Sequence, residues 1–112
     1  MNGVLNVYKE QGFTSHDVVA KLRGILKTKK IGHTGTLDPD AVGVLPVCIG
    51  KATKLCDLIT DWGKTYEAVM LLGTMTDTLD ISGKIVAQSE VNVSEVDVLK
   101  ACNEFIGEYE QI

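Results

Sequence analysis

The chain is 112 residues long, enough for about one domain with a real core, and its 45% hydrophobic and 23% charged residues exclude a disordered polymer. No apolar run reaches the ~18 residues of a membrane span, and Met1-Asn2-Gly3-Val4-Leu5 lacks the basic start and cleavage site of a secretory signal, so a cytoplasmic protein is expected. The net charge of −4 argues against a nucleic-acid partner only on average, because residues 1–66 carry nine Lys and Arg against six Asp and Glu, whereas residues 67–112 carry two against nine.

Gly3 to Tyr8 alternates loosely and is rich in β-formers, which predicts a short strand. Thr14 and Asp17 make a capping-box pattern ahead of Val18, Val19, Leu22, Ile25 and Leu26 at helical spacing, which predicts a helix over residues 15–27. Five cations, Lys21, Arg23, Lys27, Lys29 and Lys30, fall on and just after it. They could face phosphates or simply solvate a helix face. Residues 31–43 hold Gly32, Gly35, Gly43 and Pro39 without an apolar period and read as one long loop. Val44 to Ile49 follows as a buried strand, in which Pro46 hints at an edge or a bulge.

Beyond it, Lys51 to Ile59 reads as a short helix, Thr65 to Leu72 as a strand, Thr74 to Gly83 as a loop and Lys84 to Gln88 as a strand. Ser94 and Asp97 repeat the capping box ahead of Val96, Leu99, Ala101, Cys102, Phe105 and Ile106, a helix up to Gly107. The order predicts an α/β (α+β) architecture, with helices packed on a mixed, largely antiparallel sheet. Cys48, Cys56 and Cys102 are odd in number and each lies among apolar neighbours, so buried reduced thiols are expected. Trp62 and Phe13 lack the neighbours of a stacking platform and read as packing residues.

The segment Gly32-His33-Thr34-Gly35-Thr36-Leu37-Asp38-Pro39-Asp40-Ala41-Val42-Gly43-Val44-Leu45-Pro46-Val47 concentrates the chemistry. Pro39 stiffens the backbone beside Asp38 and biases Asp38 toward extended geometry. Such placement suits a reacting carboxylate, since a misplacement of ~1 Å can cost about a hundredfold in rate. An Asx turn, with Asp38 or Asp40 bonding the backbone, explains the same residues. Two other chemistries fail on spacing. Six residues separate Gly43 from Gly50 and Ala52 follows Lys51, so no P-loop is made, and neither His16 nor His33 has a partner at metal-ligand spacing.

This segment resembles the motif around the catalytic aspartate of the TruB family of tRNA pseudouridine synthases. The resemblance continues through Gly50-Lys51-Ala52-Thr53-Lys54-Leu55, Lys64-Thr65-Tyr66, Leu72-Gly73, Thr76-Asp77-Thr78 and Asp80 to Gly83, and ends on Gly107 to Ile112. It departs at Glu10, which follows Lys9 where the family usually has proline, and at Val42, where many members have threonine. By this resemblance residues 1–112 are the amino-terminal part of a catalytic domain, without the family's later catalytic motifs and carboxy-terminal RNA-binding domain.

The resemblance implies isomerisation of uridine-55 in the T arm of tRNA to pseudouridine, without metal or cofactor and by a monomer. Asp38 would be the catalytic aspartate, as nucleophile or as proton acceptor. His33 would help fill the place of the flipped-out uridine, and Tyr66 would stack on the base. Lys54, Lys29 and Lys30 are candidates for RNA backbone contact, and Asp80 belongs to the motif without an assignable role. Asp38, His33 and Tyr66 are expected to line one cleft, with Asp38 at least partly exposed. The piece by itself is expected to be inactive.

Overall fold

The apolar run of residues 44–49 becomes the centre of the first half of the molecule. A computed structural model describes residues 1–108 and 110, and the chain divides into two units, Met1–Thr65 and Tyr66–Ile112. The end of the resembled motif, Tyr109, Gln111 and Ile112, lies outside the described residues.

In the first unit, β1 (Gly3–Lys9) leads into α1 (Ser15–Leu26), followed by β2 (Ile31–His33), β3 (Gly43–Ile49), a 3-10 helix (Gly50–Leu55) and α2 (Cys56–Thr60). The sheet runs β1-β3-β2 with both pairings antiparallel. Alternation puts Leu45, Val47 and Ile49 on one face, where they join Ile31 of β2 and Val18 and Val19 of α1 in the core. Val7, Phe13, Leu22, Leu26 and Leu37 pack around that core. Ile25, one of the apolar residues at helical spacing, is 65% exposed.

Two sequence expectations change here. Ile31–His33 is a strand rather than the start of a loop, and Pro46 lies in the central strand rather than at an edge. The second follows from where β2 stops. The Pro46 carbonyl accepts from the Thr34 backbone N–H (3.1 Å) and hydroxyl (3.2 Å), so the missing Pro46 N–H points to the same side, just beyond the last residue of β2. The absent donor falls where the ladder has already ended.

The predicted capping box forms at α1. Asp17 N–H donates to Thr14 Oγ1 (3.0 Å) and Thr14 N–H donates to Asp17 Oδ2 (2.9 Å). The Thr14 hydroxyl, then its N–H, hold the Asp17 carboxyl below its ordinary value of 3.8. A depressed folded value means that the box stabilises fully above the unfolded pKa and is lost as pH falls through the folded one. The stability gap between wild type and Asp17→Asn, followed by thermal unfolding, is therefore expected to close as pH drops from about 5 to about 3. A gap that stays constant over that range would rule the box out as its source. Lys27 ends α1 in the left-handed region (φ 51), and Gly50 (φ 62) turns β3 into the 3-10 helix where a Cβ would lie 2.5 Å from the Met1 carbonyl.

In the second unit, β4 (Thr74–Thr76) pairs antiparallel with β5 (Ile85–Gln88), with a bulge between Met75 and Thr76, and α3 spans Glu95–Asn103. The strand expected over Thr65 to Leu72 does not form: this stretch is irregular and its apolar residues, Val69 at 95% among them, are exposed. Without a partner strand its β-propensity has nothing to act on. The helix after Ser94 stops at Asn103, leaving Phe105 and Ile106 beyond it and exposed. Asp80 ties the β4–β5 loop, accepting from the Thr78 hydroxyl (2.8 Å), Ser82 N–H (2.8 Å) and Ser82 hydroxyl (2.5 Å). Bonds from Ser82 first and Thr78 next hold its carboxyl below the ordinary range.

Candidate active site

Asp38 lies on the loop between β2 and β3, and the backbone on either side of it is fastened to the start of the chain. On one side Leu37 N–H donates to Ser15 Oγ (2.9 Å), and that hydroxyl, 2% exposed at the first turn of α1, returns a longer bond to the Leu37 carbonyl (3.4 Å). On the other side the Pro39 carbonyl accepts from Gly12 N–H (2.8 Å) and from Lys9 Nζ (3.2 Å). Lys9 is fully buried and spends its other donors on the carbonyls of Phe13 (2.6 Å) and Glu10 (3.0 Å). A buried ammonium needs such partners, because leaving it unsolvated and unbonded costs many kcal/mol. Ala41 N–H closes a turn on the Asp38 carbonyl (3.0 Å).

The Asp38 side chain itself is exposed and has no hydrogen-bond partner among the described residues. An Asx turn would require a backbone donor on that carboxylate, and the turn at 38–41 is closed by the main chain instead. The result is a fixed backbone carrying a free carboxylate. Reading the sequence missed Lys9 and Ser15 as the residues that fix it. Their only signal was the likeness of the segment from Lys9 to Ser15 to a family motif, since neither type announces a contact across 22 or 30 positions.

His33 ends β2 opposite Val47, and its Nδ1 is buried without a partner. Beside it opens a cleft of about 460 Å³ whose wall includes His16, Arg23, Lys29, Lys30, Gly32 and His33, with no acidic residue. Lys29 and Lys30 thus stand where an anion could be held. Lys54 is exposed and does not line this cleft, and Lys21 lies over the Phe13 ring (5.0 Å) rather than free in solution. Asp38 is exposed, as expected, and is not among the residues of the wall that His33 lines. Tyr66 begins the second unit, 66% exposed and on irregular backbone rather than on a strand. Trp62, expected to pack, is 62% exposed, while Lys64 caps the end of α2 through the carbonyls of Thr60 and Trp62.

The model of the N-terminal domain of the TruB family of pseudouridylate synthases matches residues 23–112. The chain belongs to the TruB family. It is 80% identical over 73 residues to tRNA pseudouridine synthase B of Lachnoclostridium phytofermentans, covering 65% of this chain and 24% of the relative. Against tRNA pseudouridine synthase B of Alkaliphilus oremlandii it is 54% identical over 112 residues, all of this chain and 38% of the relative. It therefore spans well under half the length of these TruB relatives. A solved structure of a Cbf5-Nop10-Gar1 complex matches 97% of the chain and 28% of its own at 32% identity, with a TM-score of 0.65. The TruB-like fold class expected from the sequence, helices with antiparallel sheets, holds. Among the described residues no helix is long and apolar enough to cross a membrane.

Proposed function

We propose that this TruB family member isomerises uridine-55 in the T arm of tRNA to pseudouridine, with Asp38 as the catalytic carboxylate. The observation that carries this reading is the free Asp38 side chain on a backbone fastened at both Leu37 and Pro39. The reaction breaks the bond from the base nitrogen to C1′ and joins C5 to C1′, with loss of the C5 hydrogen. Asp38 serves either by attacking the nucleoside or by taking a sugar proton, and both roles need an ionised, positioned oxygen.

A stacked uridine must leave its loop to meet that oxygen, at a cost of a few kcal/mol. His33 supports the vacated position and Tyr66 stacks on the extruded base, a contact worth ~1–3 kcal/mol. Arg23, Lys29 and Lys30, gathered on one cleft wall, are suited to backbone phosphates, with Lys54 a more distant candidate. No metal or cofactor enters this scheme, and the enzyme works as a cytoplasmic monomer.

Residues 1–112 correspond to 38% of the Alkaliphilus relative; by the family resemblance, the further length of such a protein carries the basic partner of Asp38 and the RNA-binding domain. The exposed apolar side chains of the second unit, Val69 and Leu71 among them, suit a cover by that further chain. The test is release of tritium from tRNA labelled at uridine C5. The full-length protein is expected to release it from position 55, and residues 1–112 alone to stay near background. Release that persists when uridine-55 is replaced by cytidine would place the reaction elsewhere, and full-rate release from residues 1–112 would show the further length to be dispensable.

A further inference from the structure

None of the three cysteines has a part in the proposed reaction, and the fold brings two of them together. Cys48 is the cross-strand partner of Gly32 on β2, and partners on antiparallel strands carry their Cβ positions on one face, about 5 Å apart. On that same face a Cβ added at Gly32 would lie 3.2 Å from Cys56 Sγ. The glycine hydrogen thus leaves the space into which the Cys56 sulfur reaches from the end of the 3-10 helix. Cys48 and Cys56 are thus neighbours on the Gly32 face of the sheet, one residue before His33. Their environments differ: Cys48 is fully buried, whereas Cys56 is half-buried and belongs to the wall of the cationic cleft. Burial first, and the neighbouring Cys56 thiol second, push the Cys48 thiol up to about 11.

We propose that Cys48 and Cys56 form a reversible oxidation site, which closes to an intramolecular disulfide when a peroxide enters the cleft beside His33. Cys56 is the sulfur a peroxide meets first. The Cys56 thiol gives up its proton as its sulfur attacks one peroxide oxygen, the O–O bond breaks, and the departing hydroxide takes that proton to leave as water, giving Cys56 sulfenic acid. Cys48 sulfur then attacks Cys56 sulfur. The S–S bond forms, the S–O bond breaks, and the hydroxyl leaves as water with the Cys48 proton. Two thiols lose two electrons and one peroxide becomes two waters. A small dithiol reverses the change by exchange. Cys48 is placed to be the second sulfur because it is adjacent; its raised pKa keeps it a thiol in the resting protein, so it escapes direct attack by peroxide and gives up its proton only to the hydroxyl that leaves Cys56.

The test uses the folded full-length protein treated with hydrogen peroxide, alkylated, and digested without reductant. A peptide pair joined through Cys48 and Cys56, two hydrogens lighter than its free components and separated by dithiothreitol, is expected. In Cys48→Ser the joined pair should vanish and Cys56 should be trapped by dimedone as sulfenic acid. In Cys56→Ser the buried Cys48 should be recovered as a free thiol after unfolding and alkylation. Recovery of both Cys48 and Cys56 as thiols from wild type while the exposed Cys102 is oxidised would overturn the proposal. So would Cys56 found as sulfinic acid beside a free Cys48, or joined to Cys102 instead.

Discussion

Replacing Asp38 with asparagine in the full-length protein is expected to reduce tritium release from C5-labelled tRNA by roughly a thousandfold or more, within the range that positioned acid–base and nucleophilic groups contribute. The substitution is nearly isosteric. It removes the negative charge and the basicity of the oxygen, and with them both of the roles open to Asp38. The backbone should not notice, because every bond that fixes the loop is made by main-chain atoms of Leu37, Asp38 and Pro39 or by Ser15, Gly12 and Lys9. Thermal stability should accordingly stay within about 0.5 kcal/mol of wild type, the usual range for an exposed substitution. Affinity for tRNA should change only a few fold, since the proposed phosphate contacts lie on other side chains. Turnover that survives in Asp38→Asn would remove the aspartate from the mechanism, and a matching fall in stability would mean the side chain holds the loop after all.

How much of this could be read beforehand depends on where the information lies in the chain. The capping boxes at Thr14 and Ser94 are local, each a pair of side chains three residues apart, and both form as the spacing predicts. The strand of residues 44–49 is announced by an unbroken apolar run. By contrast β2 is three residues long and opens the glycine-rich segment, so no period could show it. Its pairing with β3 is a long-range fact. The stretch from Thr65 to Leu72 fails in the opposite direction, since its apolar pattern is present but the partner that would make it a strand is not among the described residues. The cysteines divide for the same reason. Cys48, Cys56 and Cys102 all have apolar sequence neighbours, yet Cys48 alone is fully buried and Cys102 is exposed, because burial depends on what packs from elsewhere. The role proposed for Asp38 comes from a resemblance, whereas the means of holding its backbone, by residues in a different segment, was not legible.

The clearest consequence of that holding is the expected behaviour of Lys9→Met. Lys9 is fully buried and its Nζ donates to three carbonyls, those of Glu10, Phe13 and Pro39. Methionine has a similar length and flexibility, so the hydrophobic part of the side chain is largely kept. What is lost is the donor. Pro39 keeps the bond from Gly12 N–H, but Phe13 and Glu10 are left without the ammonium at the turn between β1 and α1. Hydrogen bonds to a charged donor contribute ~1.5–3 kcal/mol each, offset here by the relief of no longer burying a charge, so a net loss of about 3 kcal/mol is expected in denaturant unfolding. The same change loosens Pro39 beside the carboxylate proposed as catalytic. Under conditions where the variant is folded, its kcat should fall by about a hundredfold, the cost of a misplacement of ~1 Å, while tRNA affinity changes little. Lys9→Arg should rescue neither property fully, because the planar guanidinium does not converge on three carbonyls as an ammonium does. A Lys9→Met enzyme with wild-type stability would show that the three contacts are energetically idle, and one that is destabilised yet turns over normally when folded would show that Asp38 is held in place without them.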